Sequence, residues 1–209
     1  MLFRSERMPG PPWAAYLGLA AVLTAIVLLA AWATGEYRPG PFLLFHIWID
    51  SQAAYMLGLM HYLDRSAATS LASFRPVLSK TPRGSGKTES AVFQDLAYRL
   101  TNLPRRMAQI ALGVGAAFGV VLVFLIVPEP QTNFVAFGFP GSSPALIGFI
   151  VVIIVFEEAV SATLVVHTVH QLRTISQVLA HHTRLNLYRV QPVYAFSIPT
   201  GLTAVGVTL

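Results

Sequence analysis

Apolar residues dominate this chain in long unbroken runs, not in the alternating or once-per-turn spacing of a soluble domain. The first run, residues 13–34, carries no charge. At 1.5 Å per helical residue it is long enough to cross the ~30 Å hydrocarbon core of a bilayer. A secretory signal peptide has a shorter apolar core of about 7–15 residues and a small-residue cleavage site. The pattern therefore predicts a retained transmembrane helix.

Four more segments follow. Residues 41–63, PFLLFHIWIDSQAAYMLGLMHYL, are apolar but interrupted by His46, Asp50, Gln52 and His61. Residues 107–127 form a plain span in which GVGAAFG sets Gly115 and Gly119 four apart, a small-residue spacing that lets helices approach closely. Residues 144–168 form a span with Glu157 and Glu158 near its centre, and 193–209 begin another that carries Pro199 and Gly201. That last run barely crosses and stops inside apolar sequence, which predicts a piece of a longer protein. The expected fold is an all-α, polytopic transmembrane helix bundle of about five spans, a single membrane domain over residues 1–209.

The 64–106 loop is expected to hold two short interfacial helices. SAATSLASFRPVLS would end near Pro76. SAVFQDLAYRLTNLP sets Val92, Leu96, Leu100 and Leu103 on one stripe, with Ser90 as N-cap and Pro104 as stop. A basic amphipathic helix beside a membrane is expected to lie on its surface. Beyond the fourth span, HTVHQLRTISQVLAHHTRLNLYR extends that helix to about residue 185. Val169, Leu172, Ile175 and Leu179 mark an apolar side suited to docking on the loop helices or on a second subunit.

Composition sharpens this reading. The chain is 55% hydrophobic and 11% charged, where a soluble domain runs near a quarter charged. A soluble enzyme is thereby excluded, and a membrane hydrolase lacks a nucleophile–base set. The net charge of +5 follows topology: if 41–63 spans, every Lys and Arg except Arg38 falls on one side. By the positive-inside rule the N-terminus and both basic loops are cytoplasmic, in a multi-pass cell-membrane protein. The absence of cysteine removes disulfides and thiolate sites.

The stretch TPRGSGKTES, residues 81–90, resembles a phosphate-binding loop without being one. GxxxxGK[ST] must connect a buried strand to a helix. Gly86, Lys87 and Thr88 fit its end, but Thr81 stands at its first glycine and the preceding FRPVLSK holds a proline. A basic Gly/Ser turn near anionic lipid heads is the simpler reading. No nucleotide and no nucleic acid is expected as partner. The expected partners are the bilayer and copies of this chain or other membrane subunits.

The polar residues inside the spans need a reason. An acidic residue at a helix centre costs about 2.5–3.5 kcal/mol on insertion scales, and two adjacent ones repel if both are ionised. Glu157, Ser161 and Thr168 fall within about 40° on a helical wheel, and His46, Asp50, His61 and Asp64 within about 60°. Asp50 lies roughly nine residues into its span and Glu157 roughly twelve, so the two stripes are expected to face each other. One reading is a proton or ion pathway using Asp50, Glu157, Glu158, His46, His61, Ser161 and His167. The bland reading is helix–helix glue.

His61 with His167 or His170 would alternatively suit a b-type haem, but no second ligand pair supports it, so no cofactor is expected. His181 and His182 show no zinc-ligand spacing. A third reading is a sensory relay in which the long helix 144–185 passes movement to the cytoplasm.

HYLDRSAATSLASFRPVL, LAYRLTNLP and LNLYRVQPVYAFSIPTGLTA resemble an uncharacterised family of bacterial multi-span integral membrane proteins, over most of residues 55–209. The resemblance implies an integral membrane protein and carries over no activity and no site residue.

Overall fold

The computed structural model describes residues 11–35, 44–75, 89–126, 144–181 and 201. Among them every regular element is helical: α1 (Pro12–Ala33), α2 (Leu44–Phe74), α3 (Glu89–Thr101), α4 (Arg105–Ile126) and α5 (Pro144–His181). The all-α class is thus observed. Three stretches are long and apolar enough to cross a membrane: Trp13–Ala33, Ser90–Leu125 (whose apolar part is α4) and Ile147–Ala180. α2 has the length but not the sustained hydropathy, because His46, Asp50, Gln52, His61, Asp64 and Arg65 interrupt it. The fifth expected segment, 193–209, lies outside the described residues apart from Gly201, and so do residues 81–88 of the GSGKT stretch.

Helix ends follow local chemistry. α1 starts on Pro12, whose missing N–H is one the first turn could not bond anyway. It stops where Gly35 turns to φ 73°, a left-handed conformation glycine adopts without steric cost. The Thr34 and Gly35 amides then donate to the carbonyls of Ala30 (3.0 Å) and Trp32 (3.1 Å). Between α3 and α4, Pro104 breaks the chain, and the Asn102 amide and side chain both donate to the Tyr98 carbonyl, at 3.0 and 3.1 Å. The break falls where the sequence places it.

Two expectations about the 64–106 loop require correction. SAATSLASF does not form a separate helix. It continues α2 without interruption to Phe74, since nothing between Leu63 and Pro76 stops a helix. The apolar stripe of α3 does not lie on a lipid surface either. Leu96 and Leu100 are buried against Ala67, Leu71 and Phe74 of α2 and Ile175 and Val178 of α5.

The chain divides into two compact units. The first comprises Met1–Gly58 and Gln109–Leu164. In it Val27 of α1 packs with Ile153 of α5, and Tyr16 covers Gly58 of α2. A side chain at Gly115 would meet the backbone of Glu158 and Ala159, and one at Gly119 would stand 2.8 Å from Val155 Cα. The small-residue spacing of α4 is therefore spent on backbone contact with α5.

The second unit comprises Leu59–Ala108 and Val165–Leu209. Its core is the cluster just named, with Val92, Phe93, Ala97 and Leu179 packed around it. Phe74, Leu71 and Ala67 are fully buried. The Arg75 guanidinium sits 5.1 Å from the Phe93 ring centre, closing one end of this core with a cation–π contact. Of the four α5 residues expected to dock, Ile175 and Leu179 do so, while Val169 and Leu172 remain exposed.

Candidate functional site

In the first unit, the central carboxylates of α2 and α5 come into each other's field. Asp50 is 3% exposed, and Glu157 lies within Coulombic reach of both Asp50 and Glu158. Asp50 Oδ2 and Glu157 Oε1 are each shut off from solvent, and neither has a hydrogen-bond partner among the described residues. Buried polar atoms in folded proteins are nearly always paired, so two orphaned oxygens on neighbouring helices call for a chemical reason. Glue would bond them to each other or to a donor.

Local packing sets the surroundings of the two glutamates. α4 approaches α5 through Gly115 and Gly119, on the backbone of residues 155–159 that carries the glutamates. Glu158 stands on the α4 side, with its Cβ 3.3 Å from where a side chain on Gly119 would begin. Glu157, one residue earlier, points about 100° away around the helix. The two adjacent acids thus have different surroundings. Ser161, a turn further along, is half-buried. His46 lies in α2, and its side chain is outside the described residues.

In the second unit the polar side chains form a different arrangement. Asp64 of α2 accepts a hydrogen bond on Oδ1 from Gln171 Nε2 at 2.7 Å, and the same oxygen lies 2.8 Å from His167 Nε2. His167 and Gln171 are both buried. They sit one helical turn apart on α5, so a single carboxylate oxygen can bridge them. His170 faces elsewhere, its Nε2 3.1 Å from the Arg99 carbonyl of α3. Thr174 satisfies its hydroxyl on the carbonyl a turn back, whereas Thr168 Oγ1 is buried and unbonded. His61 is half-buried on α2.

The sequence reading set His61 beside His167 or His170 as candidate haem ligands. The hydrogen-bond partner found for His167 is Asp64, a residue that reading had placed on the α2 stripe but not in the site. Gln171 was missed. Its signal was present as a polar residue four after His167, on a helix otherwise rich in apolar residues. The haem alternative meets an obstacle in this geometry: the Nε2 atoms that His167 and His170 would turn toward an iron already face Asp64 and a backbone carbonyl.

Among the described residues, no group of three or more His, Asp or Glu side chains converges on a metal-sized site. No family model, no curated protein and no solved structure matches the chain, so its fold and site stand on their own geometry.

Proposed function

We propose that this chain is a membrane-embedded transport component that moves protons, with Asp50 and Glu157 as its central protonatable pair. The observation that carries this is the pair of buried oxygens, Asp50 Oδ2 on α2 and Glu157 Oε1 on α5, that find no hydrogen-bond partner among the described residues. An ionisable group is costly inside a membrane, which favours a functional reason for keeping two of them there. Among the described residues no third ligand group joins the two carboxylates, which suits a proton better than a divalent cation, whose shell takes six or more oxygens.

In this reading α2 crosses the bilayer despite its polar residues, because its acid faces protein and not lipid. The N-terminus and the basic 64–106 segment are then cytoplasmic. The GSGKT stretch contributes basic charge beside the membrane and no nucleotide chemistry. A reporter fused at Gly40 and accessible from the external side supports the threading, and a cytosolic signal there removes it.

The direct test is proton flux into vesicles reconstituted with the full chain and followed by a trapped pH dye. Flux falls at least about tenfold in Glu157→Gln and in Asp50→Asn if the pair carries protons. Flux unchanged in both variants refutes the reading. A second reading, a relay of movement along α5, draws on that helix being 38 residues long. At 1.5 Å per residue it outlasts a ~30 Å hydrocarbon core by many residues. Crosslinks joining α3 to the end of α5 that leave flux intact but abolish a cytoplasmic response would favour the relay.

A further inference from the structure

We propose that His167 is a second proton-carrying station, held by Asp64 and Gln171 in the one tautomer that leaves its Nδ1 free to accept a proton. The inference rests on the transport reading above and extends it to a residue of the second unit.

An ionised carboxylate oxygen only accepts hydrogen bonds. Asp64 Oδ1 takes one from the Gln171 amide at 2.7 Å and faces His167 Nε2 at 2.8 Å, so the imidazole proton belongs on Nε2. In that tautomer Nδ1 carries a lone pair instead of a proton. The arrangement follows the logic by which a carboxylate orients the histidine of a hydrolytic triad. One nitrogen is committed to the acid, the other keeps its lone pair, and the charged ring is stabilised once it is protonated. Asp64 and Gln171 are positioning residues: neither need carry the proton.

Burial makes the arrangement purposeful. His167 is 5% exposed and Gln171 4%. A histidine serving only to fill space could sit in either tautomer, and a second donor on Asp64 Oδ1 would be superfluous. Gln171 restrains that oxygen with a second hydrogen bond, while the Asp64 side chain is itself 30% exposed. A proton arriving at Nδ1 gives an imidazolium whose Nε2–H stays on Asp64. Departure of that proton from Nδ1 restores the starting state, so the station is reset with nothing consumed.

The test uses the full chain in lipid nanodiscs with ¹⁵N-labelled histidine, the His167 resonances being assigned by their loss in His167→Gln. The expected spectrum shows a protonated Nε2 and an unprotonated Nδ1 in the neutral ring, with Gln171→Ala mixing the tautomers. Flux measured in parallel is expected to fall roughly tenfold or more in His167→Gln. A neutral ring carrying its proton on Nδ1 overturns the inference. So does full flux in His167→Gln while Glu157→Gln is inactive, which leaves the transport reading standing. If Glu157→Gln itself conducts, the transport reading fails first. Should His167→Gln not fold, the milder Gln171→Ala still decides: an unchanged tautomer and unchanged flux refute the positioning role.

Discussion

Gly115 of α4 rests directly on Ala159 of α5: a Cβ built on the glycine would stand 2.7 Å from Ala159 Cα and 2.8 Å from Ala162 Cβ. The obstruction includes backbone, which cannot turn aside as a flexible side chain does. Gly113, two residues earlier and so about 200° around the helix, has open space around it.

Gly115→Ala is therefore expected to push α4 from α5 and cost about 1–3 kcal/mol, as overpacking does. Gly113→Ala is expected to be neutral or to stabilise by up to about 1 kcal/mol through the lower backbone entropy of alanine. Thermal unfolding in matched detergent separates the two. Equal effects would mean that the contact does not hold the helices.

The fully buried cluster of the second unit makes a larger prediction. Phe74→Ala removes an aromatic ring from between α2, α3 and α5 and should cost about 3–5 kcal/mol. Tyr98→Ala, on the outer face of α3, is expected to stay within about 0.5 kcal/mol. Hydrogen exchange of α3 amides provides a local readout: Phe74→Ala should expose the helix, and Tyr98→Ala should not.

Asp95 and Arg99 form an ion pair at 3.1 Å, one turn apart on α3 and well exposed. Solvent screens such a pair, so Asp95→Asn is expected to cost no more than about 0.5 kcal/mol, and less in high salt. A loss several times larger would mean that Asp95 has a partner other than Arg99.

Function and stability should pull in opposite directions at Glu157. Its Oε1 is buried without a hydrogen bond, so Glu157→Met removes an unsatisfied acid and substitutes an adaptable apolar chain. The variant is expected to resist unfolding by about 1–3 kcal/mol more than the parent while losing proton flux. A destabilised variant that still conducts would contradict both halves of the prediction.

Much of the helical framework was legible because it depends on runs and stops along the chain. Uninterrupted apolar length announced α1, α4 and the first half of α5, Pro104 announced the α3–α4 break, and Gly115 with Gly119 announced a close contact. The continuation of α2 was readable too: Leu63, Ala67, Leu71 and Phe74 recur at helical spacing up to the first proline, Pro76. It was obscured by treating the end of an apolar run as the end of a helix. Hydropathy reports solvent, whereas backbone hydrogen bonding decides where a helix stops.

What the chain alone determined is the helix type, the apolar lengths and the presence of acids and imidazoles at certain depths, since these are properties of local sequence. Only the tertiary structure decided partnership. Periodicity shows that α3 has an apolar face but not whether lipid or protein covers it; the packing of Leu96 and Leu100 on Phe74 and Ile175 chose protein. In the same way, a helical wheel can align Asp50 with Glu157, yet it cannot tell whether their oxygens bond. Nor can it tell that Asp64 reaches His167, because that depends on helix separation and rotation set by every contact between them.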